Sequence, residues 1–217
     1  MRTKQLEMFM SKLISLGKDR QDQTFLADMV KVLDGKSDLD NKIEKEPDVE
    51  DILLQMTIRT VRAFGKLSND RGKRILDIAC GSNTSKLPAS LLANTPFCEM
   101  SFGHSNKGYT ALFEPWFCRM LFELGAEPVG IDIGNLENES FQHFRADLGQ
   151  NGALDFLPAQ SFDAVQDSRL FGSPEFTAKY PNSNDRLEVA KEIRWQEQIL
   201  LKPGGALVHS DAAEIMG

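Results

Sequence analysis

The sequence predicts an α/β fold: a parallel sheet with helices on both faces, behind a helical N-terminal region. Three observations carry this. Up to residue 70 the apolar residues recur at helical spacing. From Arg74 onward, short apolar runs alternate with segments that can be helical. Each run ends in an acidic or glycine-bearing turn, as the strands of a parallel sheet do at their carboxyl ends. Two domains are expected, 1–70 and 71–217.

In the first region, Leu6, Phe9, Met10, Leu13 and Leu16 form one stripe. Phe25, Leu26, Met29, Val30 and Leu33 form a second, with Gly35 as its expected stop. The polar run "KSDLDNKIEKEPDVED" is a link. Pro47 opens a third helix through Ile52, Leu53, Met56, Val61 and Phe64. All three stripes are read as core packing.

In the second region, "RILDIAC" and "EPVGIDIG" are the first two strands, followed by "FRADLG", "SFDAVQDS" and, after a Pro-Gly-Gly turn, "ALVHSD". Helices are expected at 114–124 and 185–201. Ligands of such sheets sit at the carboxyl ends of the strands, where the strand order reverses.

Composition narrows the function. The charge of −7 is uneven: residues 1–73 carry 14 Lys and Arg against 13 Asp and Glu, and residues 74–217 carry 11 against 19. An acidic second region speaks against nonspecific binding to nucleic acid. No stretch approaches the ~20 apolar residues of a membrane span. The N-terminus lacks the apolar core of a signal peptide, so a cytoplasmic protein is expected. Cys80, Cys98 and Cys118 form no C-x-x-C pair, and His104, His143 and His209 are scattered. No metal site is expected, and the cysteines are read as small buried hydrophobes.

The chemistry-bearing positions lie at the strand ends. In "ILDIACGSNTS", Asp77 is near the end of the first strand and Gly81 is in the turn. Gly81 reaches backbone angles closed to other residues, Ala79 is small, and Asn83 tolerates left-handed angles. The turn lacks both G-x-G-x-x-G and G-K-[ST]. Asp132 ends the second strand, where it can accept from both hydroxyls of a ribose or cap the next helix. Asp147 lies in the third strand, "FRADLG", and Gln166 and Asp167 end the fourth.

Taken in order, "LDIACGS", "GIDI", "RADL", "SFDAVQDS" and "LLKPGGALV" resemble the class I S-adenosylmethionine-dependent methyltransferase superfamily, over about residues 74–212. The resemblance implies a Rossmann-like sheet in the order 3-2-1-4-5 with S-adenosylmethionine as cofactor. It implies that Asp77, Ala79, Gly81 and Ser82 lie under the methionine part of the cofactor and that Asp132 takes the ribose hydroxyls. Ile133 then lies against the adenine, Asp147 and Leu148 meet its edge, and Gln166 and Asp167 line the cavity near the sulfonium. The methyl acceptor implied is a small molecule or a protein side chain. Two further readings stay open: a non-catalytic module that binds S-adenosylmethionine or S-adenosylhomocysteine, and an NAD-dependent oxidoreductase, which the glycine spacing and "LKPGG" disfavour.

Two departures stand out. Asp77 and Asp132 are 55 residues apart, where an acidic residue usually follows the glycine turn by ~20. The extra residues form an insert at about 82–113, read equally as a substrate lid and as a packing element. The helix expected after the turn is displaced to "EPWFCRMLFELGA", with Pro115 in its first turn. His104, Glu114 and Trp116 are therefore the substrate-side candidates, and His104 and His209 are possible bases. The second departure is at the end: only Ala212 to Gly217 follow the fifth strand. Either the natural chain continues or the sheet stops at five strands. In the latter case the fifth strand is an edge without Pro or Lys, which favours covering by the N-terminal helices or by a second copy in a homodimer.

Overall fold

A computed structural model describes residues 4–17, 19–37, 54, 71–81, 115–134, 136, 138–167, 170–171, 176 and 179–209. Two helices lead, α1 (Lys4–Ser15) and α2 (Arg20–Ser37). There follow β1 (Arg74–Ile78), α3 (Trp116–Glu123), β2 (Glu127–Asp132), β3 (Gln142–Arg145), β4 (Phe162–Asp167), α4 (Ser183–Leu200) and β5 (Leu201–Val208). The third N-terminal helix and most of the insert lie outside the described residues.

The strands form one parallel sheet in the order β3-β2-β1-β4-β5. The order reverses between β1 and β4, so the crevice expected of a doubly wound sheet opens at their carboxyl ends. Alternate residues of each strand serve opposite faces. Ile75 and Ala164 pack with Phe117, Met120, Leu121 and Leu124 of α3, together with Leu6, Phe9 and Leu13 of α1 and Leu26 and Val30 of α2. Leu76, Ile78, Val129, Ile131 and Val165 pack with Ala190, Ile193 and Leu200 of α4 on the other side. Both faces are thus covered, as the near-continuous apolar character of the strands requires. The apolar stripe of α1 is buried as its periodicity predicts. Among the described residues no helix is long and apolar enough to cross a membrane.

Four boundaries differ from expectation. Helix α2 runs through Gly35 to Ser37, because glycine weakens a helix without barring it. Pro115 is the N-cap of α3 and not a first-turn residue. β3 is Gln142–Arg145, which leaves Asp147 in the turn beyond the strand. The largest difference is at β5, which begins at Leu201, directly after α4. Phe162 pairs with Leu201 and Ala164 with Ala206, so Lys202–Gly205 form a bulge against a single residue of β4. The Pro-Gly-Gly signal was correct about irregular backbone and wrong about its place: Gly204, at φ 79°, supplies the left-handed residue that a bulge can use.

Candidate functional site

The carboxyl edge begins at the turn after β1. Ala79 and Gly81 both adopt left-handed backbone angles, with φ of 58° and 97°. Within this turn the non-glycine residue described at positive φ is Ala79, a conformation that costs about 1–2 kcal/mol, whereas Asn83 lies outside the described residues. The Gly81 amide donates to Asp132 Oδ2 at 3.0 Å, and the Gly134 amide donates to Asp132 Oδ1 at 2.8 Å. Asp132, at the end of β2, therefore ties the β1 turn to its own. Burial pushes its carboxyl above the usual range, and the two amides and His143 oppose that shift. Each oxygen retains a lone pair with which to accept from a hydroxyl. The remaining acceptor sites of Asp132 are compatible with a hydroxyl ligand while it braces the turn.

Asp77 is fully buried on the α3 face. Its Oδ1 accepts from Gln166 Nε2 at 3.3 Å across the β1–β4 pair, and Cys118 Sγ approaches its Oδ2 at 3.5 Å. Cys80 and Cys118 are buried free thiols, as the small-hydrophobe reading expects. Burial pushes the Cys80 thiol to about 11, against a lowering hydrogen bond from Cys118, so it stays protonated. The two sulfurs fill the space beside Gly130, where a Cβ would meet Cys80 Sγ at 2.7 Å.

Beyond β3, Asp147 accepts from the Gly149 amide at 3.0 Å and holds the Lys179 ammonium with both oxygens, at 2.7 and 2.6 Å. Burial works against its ionisation, but Lys179 and the amide outweigh it, and its pKa lies below the ordinary carboxylate value. Leu148 is buried in the cluster on the α4 face, and Ile133 is half-buried in the bend after β2. Ser82, His104 and Glu114 lie outside the described residues. Trp116 begins α3.

The end of β4 brings together residues that the sequence reading treated separately or passed over. Asp167 is fully buried. Its Oδ2 receives Arg194 Nη1 at 2.9 Å and lies 3.2 Å from His209 Nδ1. The same guanidinium nitrogen is 3.3 Å from Glu197 Oε2, while Glu197 Oε1 is buried without a hydrogen-bond partner. Burial pushes the Glu197 carboxyl up to about 8; Arg194 opposes the shift and the neighbouring Asp167 adds to it. Arg194 and Glu197 were missed. The available signal was an acid in the apolar stripe of α4: Ile193, Glu197 and Leu200 share one face at i, i+4 and i+7, and all three are buried.

Neither a family model nor a curated protein matches the sequence. Among solved structures, the chain is similar to that of the trans-methyltransferase CalH in complex with SAH, at 15% identity and a TM-score of 0.35. The match covers 97% of this chain, which spans 56% of the length of that one. A likeness of that degree carries no argument about function.

Proposed function

We propose that the protein is an S-adenosylmethionine-dependent methyltransferase acting on a small molecule or a protein side chain. The observation that supports this best is the meeting of Gly81 and Asp132 beside the β1–β4 crevice. A left-handed glycine turn after the first strand and an acid at the end of the second, joined by one hydrogen bond, offer a bare main-chain surface next to a hydroxyl acceptor. A nucleoside that carries a sulfonium in place of a phosphate suits such a turn, which lacks the glycine spacing for a pyrophosphate. Bound S-adenosylmethionine supplies an activated methyl group. The chain's task is then to align the acceptor and exclude water. In this reading Gly81 and Asp77 shape the floor, Asp132 holds the ribose, Ile133, Asp147 and Leu148 face the base, and Gln166 and Asp167 border the methyl group. For Asp147 to meet the base, Lys179 must share or release it.

Calorimetric titration tests the assignment. Asp132→Ala is expected to weaken S-adenosylhomocysteine binding by roughly ten- to a hundredfold, the loss of charge-assisted hydrogen bonds worth ~1.5–3 kcal/mol. Unchanged affinity in a folded variant removes the ribose role. Thermal shifts with S-adenosylmethionine, S-adenosylhomocysteine and NAD separate this reading from the oxidoreductase one, since a ligand at 100 times its Kd stabilises by ~2.7 kcal/mol. Cofactor binding without transfer to any acceptor identifies a binding module instead.

A further inference from the structure

His209 follows β5 directly, and the cofactor reading assigns it no task. Because Gln166 pairs with Val208, His209 emerges beside Asp167 at the carboxyl edge, next to the crevice. Its Nδ1 is 3.2 Å from Asp167 Oδ2, the oxygen that Arg194 also contacts at 2.9 Å. A carboxylate held by a guanidinium has no proton to give, so Nδ1 carries the hydrogen and donates it. The lone pair is thereby left on Nε2. The two carboxylates are fully buried, while the His209 side chain is 31% exposed. The imidazole is thus the member of the cluster that an incoming molecule meets first. Among the described residues, the titratable and charged groups facing it are Asp167 from β4 and Arg194 and Glu197 from α4, with Glu197 Oε2 3.9 Å from Nδ1.

Building on the methyl-transfer reading, we propose that His209, positioned by Asp167, is the general base of this protein and that the methyl acceptor is a hydroxyl group. A neutral amine attacks through a lone pair it already has and loses a proton afterwards, from a cationic and acidic nitrogen. A hydroxyl is a poor nucleophile at neutral pH and must lose its proton as the new bond forms. The acceptor oxygen bonds to the methyl carbon as the carbon–sulfur bond breaks. The bonding pair stays on sulfur, which becomes the neutral thioether of S-adenosylhomocysteine. The hydroxyl proton passes to His209 Nε2, and the imidazolium, stabilised by Asp167, returns it to water.

Asp167, Glu197 and His209 also place one ligand atom each within 4.8 Å of one another. Arg194 sits against both carboxylates and already supplies the positive charge that an ion would bring. The arrangement therefore favours a proton over a metal.

The test uses the full chain and His209→Gln, with Asp167→Asn as a second variant if it folds. Long-range proton–nitrogen NMR is expected to show the Nδ1–H tautomer of His209. Diethyl pyrocarbonate is expected to modify His209 at Nε2, with a rate that falls when S-adenosylhomocysteine is bound. Labelled methyl transfer from S-adenosylmethionine is then measured against a panel of phenols, alkyl alcohols and amines. Transfer to a hydroxyl is expected, with kcat lowered about 100- to 10,000-fold in His209→Gln, the imidazole limb of the pH profile lost, and S-adenosylhomocysteine affinity retained. An Nε2–H tautomer, transfer confined to amines or absent from every hydroxyl compound, or full activity in His209→Gln overturns the proposal. So does a Co²⁺ absorption band that disappears in the same variant, because it makes the cluster a metal site. Failure of the wild-type protein to bind S-adenosylhomocysteine defeats the methyltransferase reading itself, and with it the base; binding with any of the other adverse results defeats the base alone.

Discussion

Asp163 and Asp167 stand four residues apart on β4, on the same side of the strand, and live in opposite circumstances. Asp163 is at the amino end. Its Oδ2 receives the Arg74 amide at 2.9 Å and Lys202 Nζ at 2.8 Å, and Lys73 Nζ lies 3.6 Å from Oδ1. Its side chain and both lysines reach solvent. Asp167 is at the carboxyl end, fully buried, and shares one guanidinium with a second buried carboxyl. One end of the strand is a satisfied clamp that joins the start of β1 to the bulge of β5. The other buries two carboxyls around one guanidinium, and burial pushes the Glu197 carboxyl up to about 8, so that it keeps its proton at neutral pH. Folding gains little from the second arrangement, since burying ions costs about as much as pairing them returns. A cluster of that kind at the carboxyl end of the sheet is what the proposed base requires.

The largest break in this comparison comes from truncating each acid. Asp167→Ala removes the closer carboxylate of Arg194 and the partner of His209, leaves a cavity in the interior, and is expected to cost about 3–5 kcal/mol, read from urea denaturation. Equal losses at the two aspartates would erase the distinction between the ends.

A second break uses pH. The Glu197 carboxyl has an ordinary value of 4.5 and is raised to about 8 in the fold. Between those values the folded protein keeps a proton that the unfolded chain has lost, so stability falls as pH rises. The slope approaches about 1.4 kcal/mol per pH unit for one proton. Glu197→Gln is expected to flatten it. A slope that survives the substitution assigns the proton elsewhere.

The smallest effect belongs to the amino end. Asp163→Ala is expected to cost about 1–2 kcal/mol at neutral pH, within the range for hydrogen bonds to a charged group discounted for exposure. Burial disfavours its charge, but Lys202, the Arg74 amide and Lys73 outweigh that and lower its pKa. Its contribution is therefore present above the unfolded value of about 3.9 and is lost as pH falls through the lower folded value. Wild type and Asp163→Asn are expected to converge in stability in acid. A gap that stays constant down to low pH would make the role steric.

What the sequence determined by itself is local and periodic. The alternation of apolar runs and helical segments was enough for the α/β class, because each strand must bury both faces; the order β3-β2-β1-β4-β5 was expected only from the resemblance of the strand-end motifs. Gly81 and Asp132 were visible as strand-end residues, because turn chemistry is written in residue type. The Pro-Gly-Gly turn was expected before β5 and lies within it as a bulge, because Pro-Gly-Gly marks irregular backbone without saying whether a neighbouring strand will still pair with it. Only the tertiary structure decided that Asp167, Arg194, Glu197 and His209 share one point. They lie on β4, α4 and the end of β5, and no spacing along the chain encodes their approach. It follows from the register of β4 against β5 and from the face that α4 turns to the sheet. Both are set by burial of residues such as Val165, Ile193 and Leu200, which themselves carry no chemistry.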